Sequence, residues 1–545
     1  MPTLHWIGKE KVINHHMDVP FKVLEHVYNF DNGNQTAPFP LERAGGVAGN
    51  KIIHGDNLEA LKSLLPEYEG KIKCIYIDPP YNTGNEGWVY NDNVTDTKIK
   101  KWLGQVVGKE SEDLSRHDKW LCMMYPRLVL LKKLLSDEGS IWISMDDSES
   151  HRLRIVLDEI FGENKFIACN IWQKRYSREN RQAIGDTHEF IYVYAINPDK
   201  FKTQRNKLPL GEKQLKVYKN PNNDIKGAWR ATSFSAQGFR PNQMYEIVSP
   251  KTGKKFTPPE GSCWKKIESE YFKLFEDNLI YFGKDGNAMP QRVQYLKDIE
   301  GIAPWTWWPH EEVGHTDESR KEIQKIFGSQ TIFDTPKPVR LLERIVHIAS
   351  NKGDIILDSF AGSGTTAHAV LNMNKQDGGN RKFILIEMED YAETITAERV
   401  KRVINGYGDK EGTGGSFDYF ELGQPLFIEE GILNELVGIE KIRAYIWYSE
   451  THTNYELGIR NNELENAHNS SLTTYNSFLG KHNDTAYYFN YETDRVTTLN
   501  HAFLATMKTK AEQYVVYADN CLLTKEYITK HHLTFKKIPR DITRF

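Results

Sequence analysis

Asp354-Ile355-Ile356-Leu357-Asp358-Ser359-Phe360-Ala361-Gly362-Ser363-Gly364-Thr365-Thr366 joins an apolar run to a glycine turn and then to a helical pattern. The spacing predicts a strand over Asp354–Leu357 and a helix over Thr365–Met373. A second strand follows over Phe383–Ile386, and a helix from Ala392 to Ile404 stops at Gly406. This rhythm builds a parallel sheet covered on both faces. It also occupies an earlier stretch: strand Lys51–His54, helix Asn57–Leu65, strand Lys73–Ile77, a helix from Asp118 to Leu135 with Pro126 inside it, strand Ser140–Ser144, helix Ser150–Phe161 and strand Phe190–Tyr194. Between about 200 and 330 the pattern dissolves into Pro, Asn, Gly and Lys with isolated tryptophans. The predicted fold is therefore an α/β, Rossmann-like core split by an insertion. Its parts are an N-terminal extension (1–50), a first core half (51–200), the insertion (201–330), a second core half (331–422) and a C-terminal α/β module (423–545).

Two strand ends carry the chemistry. At Asp358 to Thr366, glycines let backbone approach a ligand, and the following helix N-terminus favours negative charge. The turn is not GxGxxG and lacks a P-loop lysine. Glu387 ends the next strand, about twenty positions on, where an acidic side chain accepts hydrogen bonds from ribose hydroxyls. Glycine turn and acid together suggest an adenosine-containing ligand. The other end is Asp78-Pro79-Pro80-Tyr81, where proline stops the sheet ladder. Asp78 and the Pro79 carbonyl are two acceptors suited to an –NH₂ group, and Tyr81 offers a stacking face for a flat base.

These two motifs, with the catalytic one first, resemble the β class of amino-group DNA methyltransferases that use S-adenosylmethionine. The resemblance implies an S-adenosylmethionine cofactor over Asp358, Phe360, Ala361, Gly362, Ser363, Gly364, Thr365 and Thr366, with Glu387 on its ribose. His54-Gly55-Asp56-Asn57 resembles the acidic turn whose aspartate, here Asp56, faces the cofactor adenine. Asp334-Thr335-Pro336-Lys337-Pro338 resembles the segment closing over its methionine end, through Lys337 and Pro338. His188-Glu189-Phe190-Ile191-Tyr192-Val193-Tyr194 resembles a later strand of the family. Aspartate at position 78 favours adenine N6 over cytosine N4, with Asp78, Pro79, Pro80 and Tyr81 as the catalytic group. Trp229-Arg230-Ala231-Thr232 and Val515 to Leu523 look like modification subunits of type III restriction–modification systems. The partners then implied are double-stranded DNA, a second copy of the chain and a separate restriction subunit. A stand-alone or phage-defence methyltransferase and a non-catalytic DNA-binding subunit are the competing readings.

The 70 Lys and Arg and 74 Asp and Glu make the net charge −4, which averages unlike parts. Residues 171–260 hold 17 Lys and Arg against 8 Asp and Glu, leaving −13 on the rest. Lys174, Arg175, Arg178, Arg181 and Arg230, interleaved with Trp172, Tyr176, Tyr218, Trp229 and Phe239, are the expected DNA contacts. Trp305-Thr306-Trp307-Trp308 could form a stacking surface but is expected in the core, and His15-His16 and His531-His532 on the surface. The five cysteines show no metal spacing, so no metal site is expected. With no signal-like or membrane-length apolar run, the expected location is the cytoplasm.

Overall fold

The computed structural model describes residues 3–37, 49–83, 112–177, 183–221, 223–328, 332–428, 431–453, 455 and 477–540. Two compact units result: Met1–Asn206 with Trp305–Phe545, and Lys207–Pro304.

The larger unit is organised by an eleven-stranded sheet. Its strands are β1 (Lys22–Asp31), β2 (Asn34–Thr36), β3 (Lys51–His54), β4 (Ile72–Ile77), β5 (Leu135–Met145), β6 (Phe166–Gln173), β7 (His188–Ala195), β8 (Trp307–Trp308), β9 (Ile355–Asp358), β10 (Lys382–Glu387) and β11 (Ser416–Pro425). They lie in the order β8-β6-β7-β5-β4-β9-β10-β3-β11-β1-β2. The centre, from β5 to β11, is parallel. β7 runs antiparallel to both β5 and β6, and β1 antiparallel to β11. The principal helices are α1 (Asn57–Tyr68), α2 (Glu112–Leu134), α3 (Ser150–Phe161), α4 (Val339–Ala349), α5 (Thr365–Asp377) and α6 (Glu398–Asn405).

Ile75, Ile77, Ile141, Ile143, Leu357, Ile384 and Ile386 share one core with α1, α2 and α3. The alternating Cys74, Tyr76, Trp142, Ile356, Phe383 and Leu385 are buried as well. Successive side chains point to opposite faces, so both faces of the sheet are covered. Through α2, β4 leads to β5 on one side; through α5, β9 leads to β10 on the other. The winding therefore reverses between β4 and β9, which is where ligands of such sheets bind.

Several expectations change. Residues 1–50 are more than an extension, because β1 joins the main sheet. Tyr28 stacks on Tyr419 at 5.0 Å and Phe30 packs on Phe417 at 5.5 Å. The helix expected from Ala392 begins as a short 3₁₀ turn and a π turn (Glu393–Ala397) before α6. Of the tryptophan cluster only Trp308 is buried, against Trp142; Trp305 and Trp307 are 56% and 45% exposed. His16 is buried rather than on the surface, its Nδ1 at 3.2 Å from the Ile13 carbonyl. Among the described residues no helix is long and apolar enough to cross a membrane.

The smaller unit surrounds Phe234, Trp264, Tyr271 and Phe282 with a three-stranded sheet and two short strand pairs. It is narrower than the 201–330 expected, since the helix Thr316–Phe327 belongs to the larger unit. At the C-terminal end a four-stranded sheet is fastened by the fully buried Arg540–Asp519 pair at 2.5 Å.

Candidate active site

Asp78 follows β4 directly, at the carboxyl end of a central strand where the winding reverses. The turn after it is held from several sides. Trp120 Nε1 donates to the Pro80 carbonyl at 2.6 Å. Asn82, at φ 58°, is buried, and its side-chain amide donates to the fully buried Glu149, which also binds His117 and Arg152. Left-handed backbone suits asparagine better than most residues. The result is a rigid Asp-Pro-Pro-Tyr turn whose aspartate side chain keeps 24% exposure, enough to meet a ligand.

Around Asp78 lies a network of charges. Tyr81 Oη is 2.8 Å from Asp78 Oδ1 and 2.9 Å from Glu189 Oε2. Lys337 Nζ donates to Asp78 Oδ2 at 2.6 Å and lies 3.5 Å from Glu189 Oε2. Lys174 approaches Glu189 Oε1 at 3.6 Å and pairs with Asp186 at 2.8 Å. Burial pushes the Asp78 carboxyl above its usual range, with Lys337 pulling the other way. Desolvation acts to lower Lys337, but the Asp78 and Glu189 charges prevail and raise it. Burial and the same two carboxylates raise the Tyr81 phenol far above its usual range.

The glycine turn sits at the end of the neighbouring strand, β9. Gly362 and Gly364 have φ of 52° and 80°. A Cβ on Gly362 would lie 3.1 Å from the Phe333 ring, and one on Gly364 would lie 3.0 Å from the Thr396 carbonyl. Glycine is required at both on grounds of conformation and space. Glu387 Oε2 accepts from Gly362 N at 2.7 Å, while Oε1 accepts from Met388 N and Glu389 N. Asp358 accepts from Thr366 Oγ1 at 2.5 Å and Phe360 N at 3.1 Å. Burial pushes Asp358 up to about 7 and Glu387 up to about 8, against those hydrogen bonds. Ser363 and Thr365 hydroxyls receive the buried Arg399 guanidinium at 2.8 and 2.7 Å. Ala361 N donates to the Ile386 carbonyl at 3.1 Å, tying the turn to β10.

The other expected residues have partners of their own. Asp56 caps α1 through Leu58 N and Glu59 N at 2.8 and 3.1 Å, and Arg127 approaches its other oxygen at 3.5 Å. Lys337 points at Asp78, while Pro338 is buried at the start of α4. Lys174 is engaged with Asp186 and Glu189 instead of standing free for phosphate. Arg175 is exposed, and Arg178 and Arg181 lie outside the described residues. In the smaller unit Arg230 bonds Gln294 at 2.9 and 3.0 Å and lies over the Tyr218 ring. Glu189, Trp120, Glu149 and Arg399 were not expected at the site. The first stood in a quoted strand, and an acidic residue opening an apolar run was its only signal.

Comparison with known proteins decides the family. The family described as DNA methylase matches residues 72–398, which span both the Asp78 turn and the glycine turn. The chain belongs to the DNA methylase family. Among its relatives, the Mod subunit of the type III restriction-modification enzyme StyLTI of Salmonella typhimurium (strain LT2) is 38% identical over 363 residues, covering 62% of this chain and 52% of that protein. The EcoPI Mod subunit of Escherichia phage P1 is 33% identical over 385 residues, covering 63% and 58%. The type II methyltransferase M.KpnI of Klebsiella pneumoniae is 32% identical over 356 residues, covering 62% and 80%. The matched part of this DNA methylase spans a little over half the length of the two Mod subunits.

Proposed function

We propose that this DNA methylase transfers a methyl group from S-adenosylmethionine to N6 of an adenine flipped out of duplex DNA. The observation that carries the reading is the Asp78 turn and the glycine turn on adjacent strands, β4 and β9, at the point where the sheet winding reverses. The chain fits the cofactor: Gly362 and Gly364, at positive φ, turn the backbone sharply after β9, and Phe360 to Thr366 leads into α5. Asp358, Phe360, Ala361, Gly362, Ser363, Gly364, Thr365 and Thr366 would hold it, with Glu387 toward the ribose. Asp56 would sit on the adenine side and Pro338 toward the amino-acid end, whereas Lys337 reaches Asp78 instead. When bound, the cofactor supplies an electrophilic sulfonium methyl.

An adenine amino nitrogen is a poor nucleophile, because its lone pair is delocalised into the ring. Asp78 and the Pro79 carbonyl accept its two hydrogens and draw the nitrogen towards tetrahedral geometry. Its lone pair would then be aimed at the methyl group that the cofactor, held over Phe360 to Thr366, would supply. The nitrogen becomes positive and releases one proton to solvent. Asp78 stabilises that charge, so the catalytic gain is one of position and electrostatics. Pro80 keeps the turn rigid, and Tyr81 stacks on the flipped base.

The reading extends to a type III modification subunit with a separate restriction subunit, which the Mod relatives support, and to a chain that pairs with a second copy of itself. Similarity to M.KpnI over 80% of its length supports a second reading, a methyltransferase that needs no nuclease partner. Lys207–Pro304, with Arg230, and the exposed Arg175 are proposed to contact DNA; the unit holds 16 Lys and Arg against 11 Asp and Glu. The decisive experiment incubates the purified chain with labelled S-adenosylmethionine and duplex DNA, then identifies the modified nucleoside. N6-methyladenine is expected. N4-methylcytosine would overturn the adenine assignment, and no labelled DNA would overturn the reading.

A further inference from the structure

Lys337 occupies two places that the target base needs. Its ammonium sits on Asp78 Oδ2 at 2.6 Å, and it lies over the Tyr81 ring, 5.0 Å from the centroid. The other Asp78 oxygen is taken by the Tyr81 hydroxyl at 2.8 Å. A cation on Asp78 also opposes the positive charge that develops on a methylated amino nitrogen. The ammonium must therefore leave Asp78 and the Tyr81 ring before transfer, and the hydroxyl frees a further lone pair of Asp78 by turning away, so each is served by another acceptor.

Glu189 supplies one. Tyr81 Oη is already 2.9 Å from Glu189 Oε2, and its single proton can be given to only one carboxylate at a time. Rotation of the O–H bond, with no heavy atom moving, redirects it from Asp78 to Glu189. Lys337 Nζ is 3.5 Å from the same Oε2, so a shift of under about 1 Å brings it to hydrogen-bond distance. Glu189 stands on β7, hydrogen-bonded to strands on both sides, and Lys174 steadies its other oxygen at 3.6 Å. The acceptor stays in place while the donors change sides.

We propose that Glu189 is a positioning residue: the acceptor to which Lys337 and the Tyr81 hydroxyl pass when the target amino group takes Asp78. The proposal rests on the methyltransferase reading above. No proton or electron is exchanged; only donors are redistributed between two carboxylates. Among the described residues Glu189 is the other carboxylate that Lys337 pairs with, and without it the ammonium stays on Asp78.

The test measures single-turnover methyl transfer to duplex DNA and S-adenosylmethionine affinity for the wild type, E189Q, E189D, K337Q and E189Q/K337Q. E189Q is expected to slow transfer about thirtyfold or more with cofactor Kd within about twofold, and E189D to recover part of the loss. In the E189Q background K337Q is expected to cost little or to restore rate, because the ion it removes is the obstruction; independent roles would multiply. An E189Q rate within about threefold of wild type, or multiplying losses in the double variant, would overturn the proposal. If E189Q does not fold, E189D decides: a rate loss with unchanged cofactor Kd supports the proposal, and a wild-type rate overturns it. A wild-type chain without transfer activity would instead sink the methyltransferase reading itself.

Discussion

Tyr81 carries a ring and a hydroxyl with separable tasks. The ring is the stacking face, while the hydroxyl bridges Asp78 and Glu189 at 2.8 and 2.9 Å. A hydrogen bond to a charged group contributes about 1.5–3 kcal/mol, and base stacking adds about 1–3 kcal/mol. Tyr81→Phe is therefore expected to lower methyl transfer by about tenfold, and Tyr81→Ala by substantially more. Equal losses in measured kcat/KM would assign the whole effect to the hydroxyl. The hydroxyl's second acceptor was not legible in the sequence. Glu189 opens an apolar run and resembles a solvated strand end, and only the antiparallel direction of β7 carries it to Asp78. Lys337 was legible as a member of a closing segment, but its target was not, because a long flexible side chain takes its partner from the tertiary structure. Asp56 was legible as an acidic residue ahead of a helix, and its capping bonds follow from that position.

At the scale of elements, the junction of β9 with α5 is closed by Asp358 at the strand end and Thr366 in the first helical turn. Burial pushes Asp358 up to about 7, so the folded state holds a proton that the unfolded chain releases near the ordinary carboxylate range. A raised folded-state value contributes stability at low pH that is lost as pH rises from about 4 through about 7. Asp358→Asn imitates the protonated acid, with its carbonyl accepting from Phe360 N and its amide donating to Thr366 Oγ1. The melting temperature of D358N minus that of the wild type, without ligand, is expected to become more positive between pH 4 and pH 8. A difference independent of pH would show that Asp358 is ionised in the folded protein throughout. The central strands and helices were legible from periodicity because both sheet faces are apolar. β1 was less so, since Tyr28 and Phe30 alternate with Asn29 and Asp31 inside a polar stretch.

For the molecule as a whole, Asp78 and Asp358 stand 280 residues apart in the chain and on neighbouring strands in the sheet. The two motifs announced their chemistry in the sequence, but their adjacency depends on strand order, which periodicity does not encode. The basic stretch was legible as a charge excess, yet it straddles two units: Lys174 serves the site network, while Arg230 lies in Lys207–Pro304. Local composition cannot separate a lysine that answers a buried carboxylate from one that answers phosphate. The central claim is that Asp78 activates the amino group of a DNA base without being needed to hold the cofactor. The most direct measurement sets methyl transfer to duplex DNA beside S-adenosylmethionine binding by calorimetry, for the wild type and Asp78→Ala. Transfer is expected to vanish in the variant with cofactor affinity retained; transfer at the wild-type rate would contradict the account.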